Sequence, residues 1–402
     1  MTQEKLAIHG GPKVRATPLP GRRLFDEEVL QAVTRVFEAS WASGVDFGFQ
    51  GPCEEEFTSR FCEFQGGGYA DAVNSGTSAV YLAVKALDLP AGSHVIVSPV
   101  TNPGGVMPVA VQEVKLVIPD AAPGRFNLSA KEFEEAITPE TRAAVLTHLG
   151  GHAIDLDPIL AIANKRGIAI VEDCSQAHGT LYQGRRVGTF GAIAAFSTMY
   201  SKTLATGGTG GVVYTQDEEY YWRLRSLADR GKPFRQPGFN FKNTTDYLFP
   251  ALNFNSDEVS CAIGSAILPR LPEIIDRRHA IAQQLDQALL VTRTVRPAKL
   301  ELPGSRSSVF FHTVVLDLNQ LSVGKQEFIE ALAAEGIWLN GDYRDITCEW
   351  QWIPEYTVNF RPTPNAIAFR DRTFNILFNE RFTEREVDDL IAAIRKVEAA
   401  YC

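Results

Sequence analysis

The chain has 402 residues, 45% hydrophobic and 22% charged, which fits a soluble protein of two domains better than one minimal core. A formal net charge of -9 speaks against nucleic acid as the main partner, because binding a phosphate backbone needs a basic surface. No apolar run reaches the length of a signal peptide or a membrane span, the six scattered cysteines lack a C-x-x-C pair, and the histidines lack metal-ligand spacing, so the expectation is a cytoplasmic protein with reduced thiols and no metal.

In chain order, the first fifteen residues read as a Gly- and Pro-rich arm without periodicity. A helix follows over Asp26–Ser40, with Val29, Val33 and Val36 on one stripe. From about Phe61 to Thr215, strand-sized apolar runs alternate with helical patterns. The strands are expected at His94–Ser98, Ala143–Leu149, Ile168–Glu172, Ile193–Ser197 and Gly211–Tyr214. The helices between them are expected at Ser78–Leu87, Ala130–Ile137 and Pro158–Lys165. Such alternation predicts an α/β fold, a large domain whose mixed, mostly parallel sheet is flanked by helices. The segment Gly231–Asn255, rich in Pro, Gly, Asn and aromatics, reads as a long functional connection. A long helix is then expected over Ser256–Ala288, interrupted near Pro269 and Pro272. A strand near Val309–Leu316 and helices at Gln326–Glu335 and Glu384–Ala400 complete a smaller C-terminal α/β domain. The division expected is a large domain over 1–255, arm included, and a small one over 256–402.

Three segments carry chemistry. In IAIVEDCSQAHG, residues 168–179, an apolar strand ends at Glu172 and Asp173. Ligands of open α/β sheets gather at the carboxyl ends of strands, which puts Asp173 in reach of one; equally, an Asp there can cap its own turn. In FSTMYSKTLATGGTGG, residues 196–211, Lys202 stands between a strand end and Gly207, Gly208, Gly210 and Gly211. A lone lysine is ordinarily a solvated surface charge. One that bonds a carbonyl compound must sit in a pocket that lowers its pKa, with backbone in close approach, and the glycines permit that. In NSGTSAVYLAVKAL, residues 74–87, Ser75, Gly76, Thr77 and Ser78 crowd hydroxyls and free amides at a helix start. That is either an ordinary Ser/Thr cap or a phosphate cup.

The order SGTSA, HLGGHAIDLD, EDCSQAHG, FSTMYSK and TGGTGG resembles the DegT/DnrJ/EryC1/StrS family, and the likeness runs from LAIHGGPKVR to FNILFNERFTEREVDDLI. These are fold-type I pyridoxal-phosphate (PLP) enzymes, mostly sugar and cyclitol aminotransferases. The resemblance implies pyridoxal 5'-phosphate as cofactor, held as a Schiff base by Lys202, with Asp173 on its ring nitrogen. It implies that Gln176 lies near the cofactor's phenolic oxygen and that Gly76, Thr77, Ser78 and Ser197 bind its phosphate. Asn253 matches an asparagine that reaches the phosphate of the neighbouring subunit, which implies a homodimer with shared sites. Tyr343 matches a tyrosine often near substrate, although an aromatic at such a place commonly fills core or interface.

Three positions depart from the family pattern. Asn102 stands at the cofactor-binding position where an aromatic commonly stacks on the ring, Thr209 where a Glu precedes the paired glycines, and Asn255 where an Arg is usual. His312 is a further residue that could lie near the site, and Arg230, Arg235 and Arg344 could hold a donor carboxylate or a nucleotide phosphate. The implied reaction moves an amino group from glutamate or glutamine to a keto-sugar, possibly nucleotide-linked, or to a keto-cyclitol. Relatives with histidine at the lysine position remove a hydroxyl group instead, so Lys202 favours transamination over dehydration. A non-catalytic PLP-binding regulator is the reading from another class.

Overall fold

A computed structural model describes residues 4–240, 245–343 and 345–402. The helices and strands that build its two larger sheets and their main helical layers follow in chain order: α1 (Glu27–Ser43), α2 (Pro52–Gln65), β1 (Tyr69–Val73), α3 (Gly76–Ala86), β2 (His94–Val97), β3 (Lys115–Val117), α4 (Ala130–Ala136), β4 (Thr141–Thr147), α5 (Leu156–Arg166), β5 (Ala169–Asp173), β6 (Ile193–Ser197), β7 (Gly211–Thr215) and α6 (Glu218–Ala228). After the long connection come α7 (Glu258–Ile267), α8 (Leu271–Ala288), β8 (Val295–Pro297), β9 (His312–Leu316), α9 (Lys325–Ala334), β10 (Leu339–Asn340), β11 (Thr373–Ile376) and α10 (Glu384–Tyr401).

The first seven strands form one sheet in the order β1-β7-β6-β5-β4-β2-β3. Strands β2 to β6 run parallel, while β7 lies antiparallel between β6 and β1. Successive side chains of a strand point to opposite faces, so a sheet buried on both faces must be apolar at every position. Here Ile96, Ala144, Leu146 and Ile170 join one core with Phe57 and Phe61 of α2, while Val95, Val97, Val145 and Val171 join another with Val80 and Val84 of α3. That is the expected large, mostly parallel sheet between helices, and it explains why its strands read as unbroken apolar runs.

The last four strands form a second, antiparallel sheet, ordered β8-β9-β11-β10. Val314, Leu316, Phe374 and Ile376 pack there on Ile281, Leu285, Phe328, Leu332, Leu390 and Ile394. Helix α8 serves both cores, with Leu271, Ile274 and Ile275 in the first and Ile281 and Leu285 in the second. Leu6 and Leu19 of the N-terminal segment also belong to the second core, and the Ala7 amide donates to Glu335 Oε1 at 2.8 Å. From residue 4 on, the segment read as an arm is thus a strap packed on the C-terminal unit. The break expected near Pro269 and Pro272 is a 3₁₀ turn, Leu268–Arg270, between α7 and α8. No described helix is long and apolar enough to cross a membrane.

Candidate active site

Asp173 is the last residue of β5, paired in register with Thr147 of β4 and Ala195 of β6. It is 4% exposed. Its Oδ1 accepts from the Ser175 amide at 3.0 Å, so the turn-capping reading is true of one oxygen. Its Oδ2 has a longer contact, 3.5 Å, from the Thr147 hydroxyl. Beside it, a Cβ added to Gly105 would lie 2.9 Å from Oδ2, so the 103–105 turn approaches the carboxylate as only a bare backbone can.

Glu172, one residue earlier, faces the other way. Its carboxylate accepts from His148 Nε2 at 3.0 Å and from the amides of Gly188, Phe190 and Gly191 at 2.7–2.8 Å. Burial opposes its charge, but the His148 bond and these amides outweigh burial and hold the carboxyl below its usual range. His148, Glu172 and Cys174 lie close enough to hold a metal, yet His148 Nδ1 accepts the Ile154 amide and Glu172 is saturated by donors. The group is a hydrogen-bonded brace for the strand that carries Asp173.

Lys202 is 9% exposed, with its Nζ 4.8 Å from the centre of the Phe310 ring. Burial pushes its pKa down to about 8, partly offset by the negative charges of Asp173 and Asp345. Burial thus brings the amine closer to its neutral form, the form a nucleophilic or proton-carrying lysine uses. The Lys202 and Thr203 carbonyls accept from the two terminal nitrogens of Arg22, whose Nε is 2.8 Å from Glu380. The strap before α1 therefore fixes the loop that carries the lysine. His178, buried and flanked by Phe196, has no hydrogen-bond partner at either ring nitrogen among the described residues; burial, with the charges of Lys202 and Arg22, lowers its pKa to about 3.

At the start of α3, Ser75 caps the helix by accepting the Ser78 amide at 3.0 Å, and the Ser78 hydroxyl donates to Asn74 Oδ1 at 2.6 Å. Gly76 and Thr77 occupy the first helical positions, where amides lack intrahelical acceptors. A Cβ on Gly76 would come 2.5 Å from that of Ser197, and one on Gly211 2.4 Å from the Ser75 carbonyl oxygen. The two glycines seat the helix start against the ends of β6 and β7. Ser197 is tied by its amide to the Ser175 hydroxyl at 3.1 Å.

Gln176 accepts the Gly150 amide at 2.7 Å and donates to the Tyr343 hydroxyl at 3.3 Å. Tyr343 is a core aromatic packed on Phe126 and Phe311, and its hydroxyl is joined to Gln176. Asn102 accepts the Gly104 amide at 3.1 Å, and burial, the larger effect, raises the pKa of the Asp345 carboxyl while Asn102 and the Lys202 charge draw it down. Asn253 is exposed, and its Oδ1 accepts from the backbone and side chain of Asn255. The Thr209 hydroxyl donates to the Asn74 carbonyl at 2.8 Å.

Of the outlying candidates, Arg230 pairs with Asp229 at 2.7 Å and Arg235 with Glu219 at 2.5 Å, while Arg344 lies outside the described residues. His312 contacts Asp286 at 3.1 Å and lines, with His152 and His279, a cavity of about 80 Å³. Arg22, Phe310 and Asp345 were not read from the sequence. No local motif marks them, since each is brought to Lys202 from a distant part of the chain.

The chain's likeness to known proteins runs along most of its length. The model of the DegT/DnrJ/EryC1/StrS aminotransferase family matches residues 24–395. GDP-perosamine synthase of Caulobacter vibrioides is 30% identical, over 91% of this chain and 94% of that protein. L-glutamine:2-deoxy-scyllo-inosose aminotransferase of Micromonospora echinospora is 31% identical, over 82% of this chain and 79% of that one. Among solved structures, the aminotransferase from Psychrobacter cryohalolentis superposes with a TM-score of 0.85 at 25% identity, covering 94% of this chain and 98% of its own. A family match over residues 24–395, with relatives 30% and 31% identical along most of their length, makes this chain a member of the DegT/DnrJ/EryC1/StrS aminotransferase family.

Proposed function

We propose that this protein is a PLP-dependent aminotransferase that carries nitrogen from glutamate or glutamine to a keto-sugar or keto-cyclitol. The observation that carries the reading is the buried Lys202 amine, whose pKa burial lowers to about 8, in the field of the Asp173 carboxylate at the end of β5.

The residues present fit the cofactor. An amine for its aldehyde, a buried carboxylate for its ring nitrogen and a helix start for its phosphate line the same strand ends, where Gly105 and Gly76 leave room that a Cβ would fill. In this reading Lys202 bonds the cofactor, Asp173 holds the ring-nitrogen proton, and Gln176 lies by the phenolic oxygen. Gly76, Thr77, Ser78 and Ser197 cradle the phosphate, and Asn102 borders the ring face. When bound, PLP supplies an electron sink that acidifies the substrate carbon bearing the amine. Asp173 keeps that sink charged by stabilising a proton on the ring nitrogen. Lys202, once displaced by the substrate amine, takes and returns the proton of the reacting carbon as general base and acid. The Phe310 ring lies 4.8 Å from the amine and lines its pocket.

Asn253 reaching the partner's phosphate and a homodimer with shared sites belong to the same proposal. An exposed aromatic face supports it: Phe37, Trp41 and Phe47 cluster beside a groove of about 740 Å³, and Trp41 is 76% exposed. Sedimentation of the cofactor-loaded protein as a monomer would contradict it. The two-domain division at 255/256 is proposed likewise, with α8 sharing its side chains between the two cores.

A half-reaction tests the function. Mixed with PLP and either glutamate or glutamine, the protein should convert the cofactor to its pyridoxamine form, and a keto-sugar or keto-cyclitol should reverse the change. No conversion with either donor would overturn the reading in favour of dehydration or cofactor binding alone.

A further inference from the structure

Two guanidinium groups grip the two backbone segments that meet at the Lys202 amine, and one carboxylate joins them. From the strap, Arg22 donates to the Lys202 carbonyl and, at 2.7 Å, to that of Thr203. From α8, Arg278 donates through Nε to the Val309 carbonyl at 3.0 Å and through Nη2 to that of Phe310 at 2.7 Å. Glu380, just after β11, accepts from Arg22 Nε at 2.8 Å on one oxygen and from Arg278 Nη1 at 3.2 Å on the other. The first clamp holds the residue that bears the amine. The second holds Phe310, whose ring centre lies 4.8 Å from Lys202 Nζ.

The second segment is one that has to be held. Val309 has φ +45°, a left-handed conformation that a β-branched side chain rarely adopts. The Phe310 amide donates to the Gly150 carbonyl at 2.8 Å, and a Cβ on Gly151 would lie 2.8 Å from the Val309 nitrogen. Arg278 is 4% exposed and the Glu380 side chain 12%. Stability alone does not account for such a cluster, since apolar side chains of similar volume often serve a core as well as buried ions do. What they cannot do is fork onto carbonyl oxygens, as a guanidinium does.

We propose that Glu380 is a positioning residue: by bridging Arg22 and Arg278 it sets the place of the Lys202 amine relative to Phe310, and with it the amine's reach to a carbonyl carbon. This rests on reading Lys202 as the cofactor lysine. Two ligands separate the position of the amine from the general integrity of the pocket. PLP offers Lys202 an aldehyde, whereas pyridoxamine phosphate has the same ring and phosphate but no aldehyde. Each is titrated into the full-length protein freed of cofactor.

In Glu380→Gln, which keeps the shape of the side chain and loses its charge, affinity for PLP should fall about tenfold, because a small misplacement of a reacting group is costly. Affinity for pyridoxamine phosphate should not change. Arg22→Leu, at the less buried end of the cluster, should show the same selective loss, and it serves as the test should Glu380→Gln fail to fold. The double variant should lose less than the product of the two single losses, since both act on one chain of contacts. Glu398, which accepts the Arg293 and Thr294 amides in the C-terminal unit, provides a control. Glu398→Gln should lower the unfolding temperature and leave both affinities at their wild-type values. Equal losses for the two ligands, or no loss for either, in Glu380→Gln and Arg22→Leu would make the cluster a structural tie and overturn the proposal. If borohydride reduction failed to fix the cofactor on Lys202 of the wild-type protein, the underlying cofactor assignment would fall instead.

Discussion

At the scale of single residues the site is a problem of charge placed where water is scarce. Lys202 is buried enough to lose much of its affinity for a proton, and Asp173 sits at a strand end with one oxygen capping its own turn and the other lightly used. A charge-assisted hydrogen bond is worth about 1.5–3 kcal/mol, roughly 10- to 150-fold in an equilibrium. Asp173→Asn should therefore weaken cofactor binding by about that factor and lower turnover further, as measured by cofactor titration and steady-state rates. Unchanged binding and turnover would remove Asp173 from the assigned role. Lys202 and Asp173 were legible in the sequence because each follows an apolar strand in a motif whose order is specific. Arg22, Phe310 and Asp345 were not, because their places depend on the strap, the run just before β9 and the pairing of residues 345–347 with the end of β2, which no local pattern encodes.

At the scale of elements, the parallel strands could be read because both faces of the sheet are covered, which makes them continuous apolar runs. Strand β1 and helix α2 were harder. β1 carries Asp71, buried and 3.5 Å from Arg225 of α6, so a charge interrupts its apolar pattern. α2 buries only a narrow stripe, Phe57 and Phe61 with Glu54 and Gln65, in an otherwise polar sequence. The brace behind β5 gives this scale its own prediction. Removing one partner of a buried pair costs about 3–5 kcal/mol, so Glu172→Gln should lower the unfolding midpoint in denaturant by that amount of stability. The Glu172 carboxyl is held below its ordinary pKa, so its contribution is present above the usual carboxylate range and fades as pH falls through the lowered value. The stability gap between wild type and Glu172→Gln should accordingly narrow on acidification. A gap independent of pH would contradict a charged Glu172.

At the scale of the whole molecule, the N-terminal strap and α8 couple the two cores. Leu6 and Leu19 pack in the C-terminal core, and Arg22 beyond them reaches the loop of Lys202. A Gly- and Pro-rich start has no periodicity to show that it is packed rather than free, so the sequence could only suggest an arm. The most direct test of the central assignment is chemical. The purified protein is loaded with PLP, reduced with borohydride, digested and read by mass spectrometry. The account predicts one reduced cofactor adduct, on Lys202, and its disappearance together with the visible absorbance in Lys202→Ala. An adduct on another lysine, or visible absorbance and turnover that survive Lys202→Ala, would contradict it.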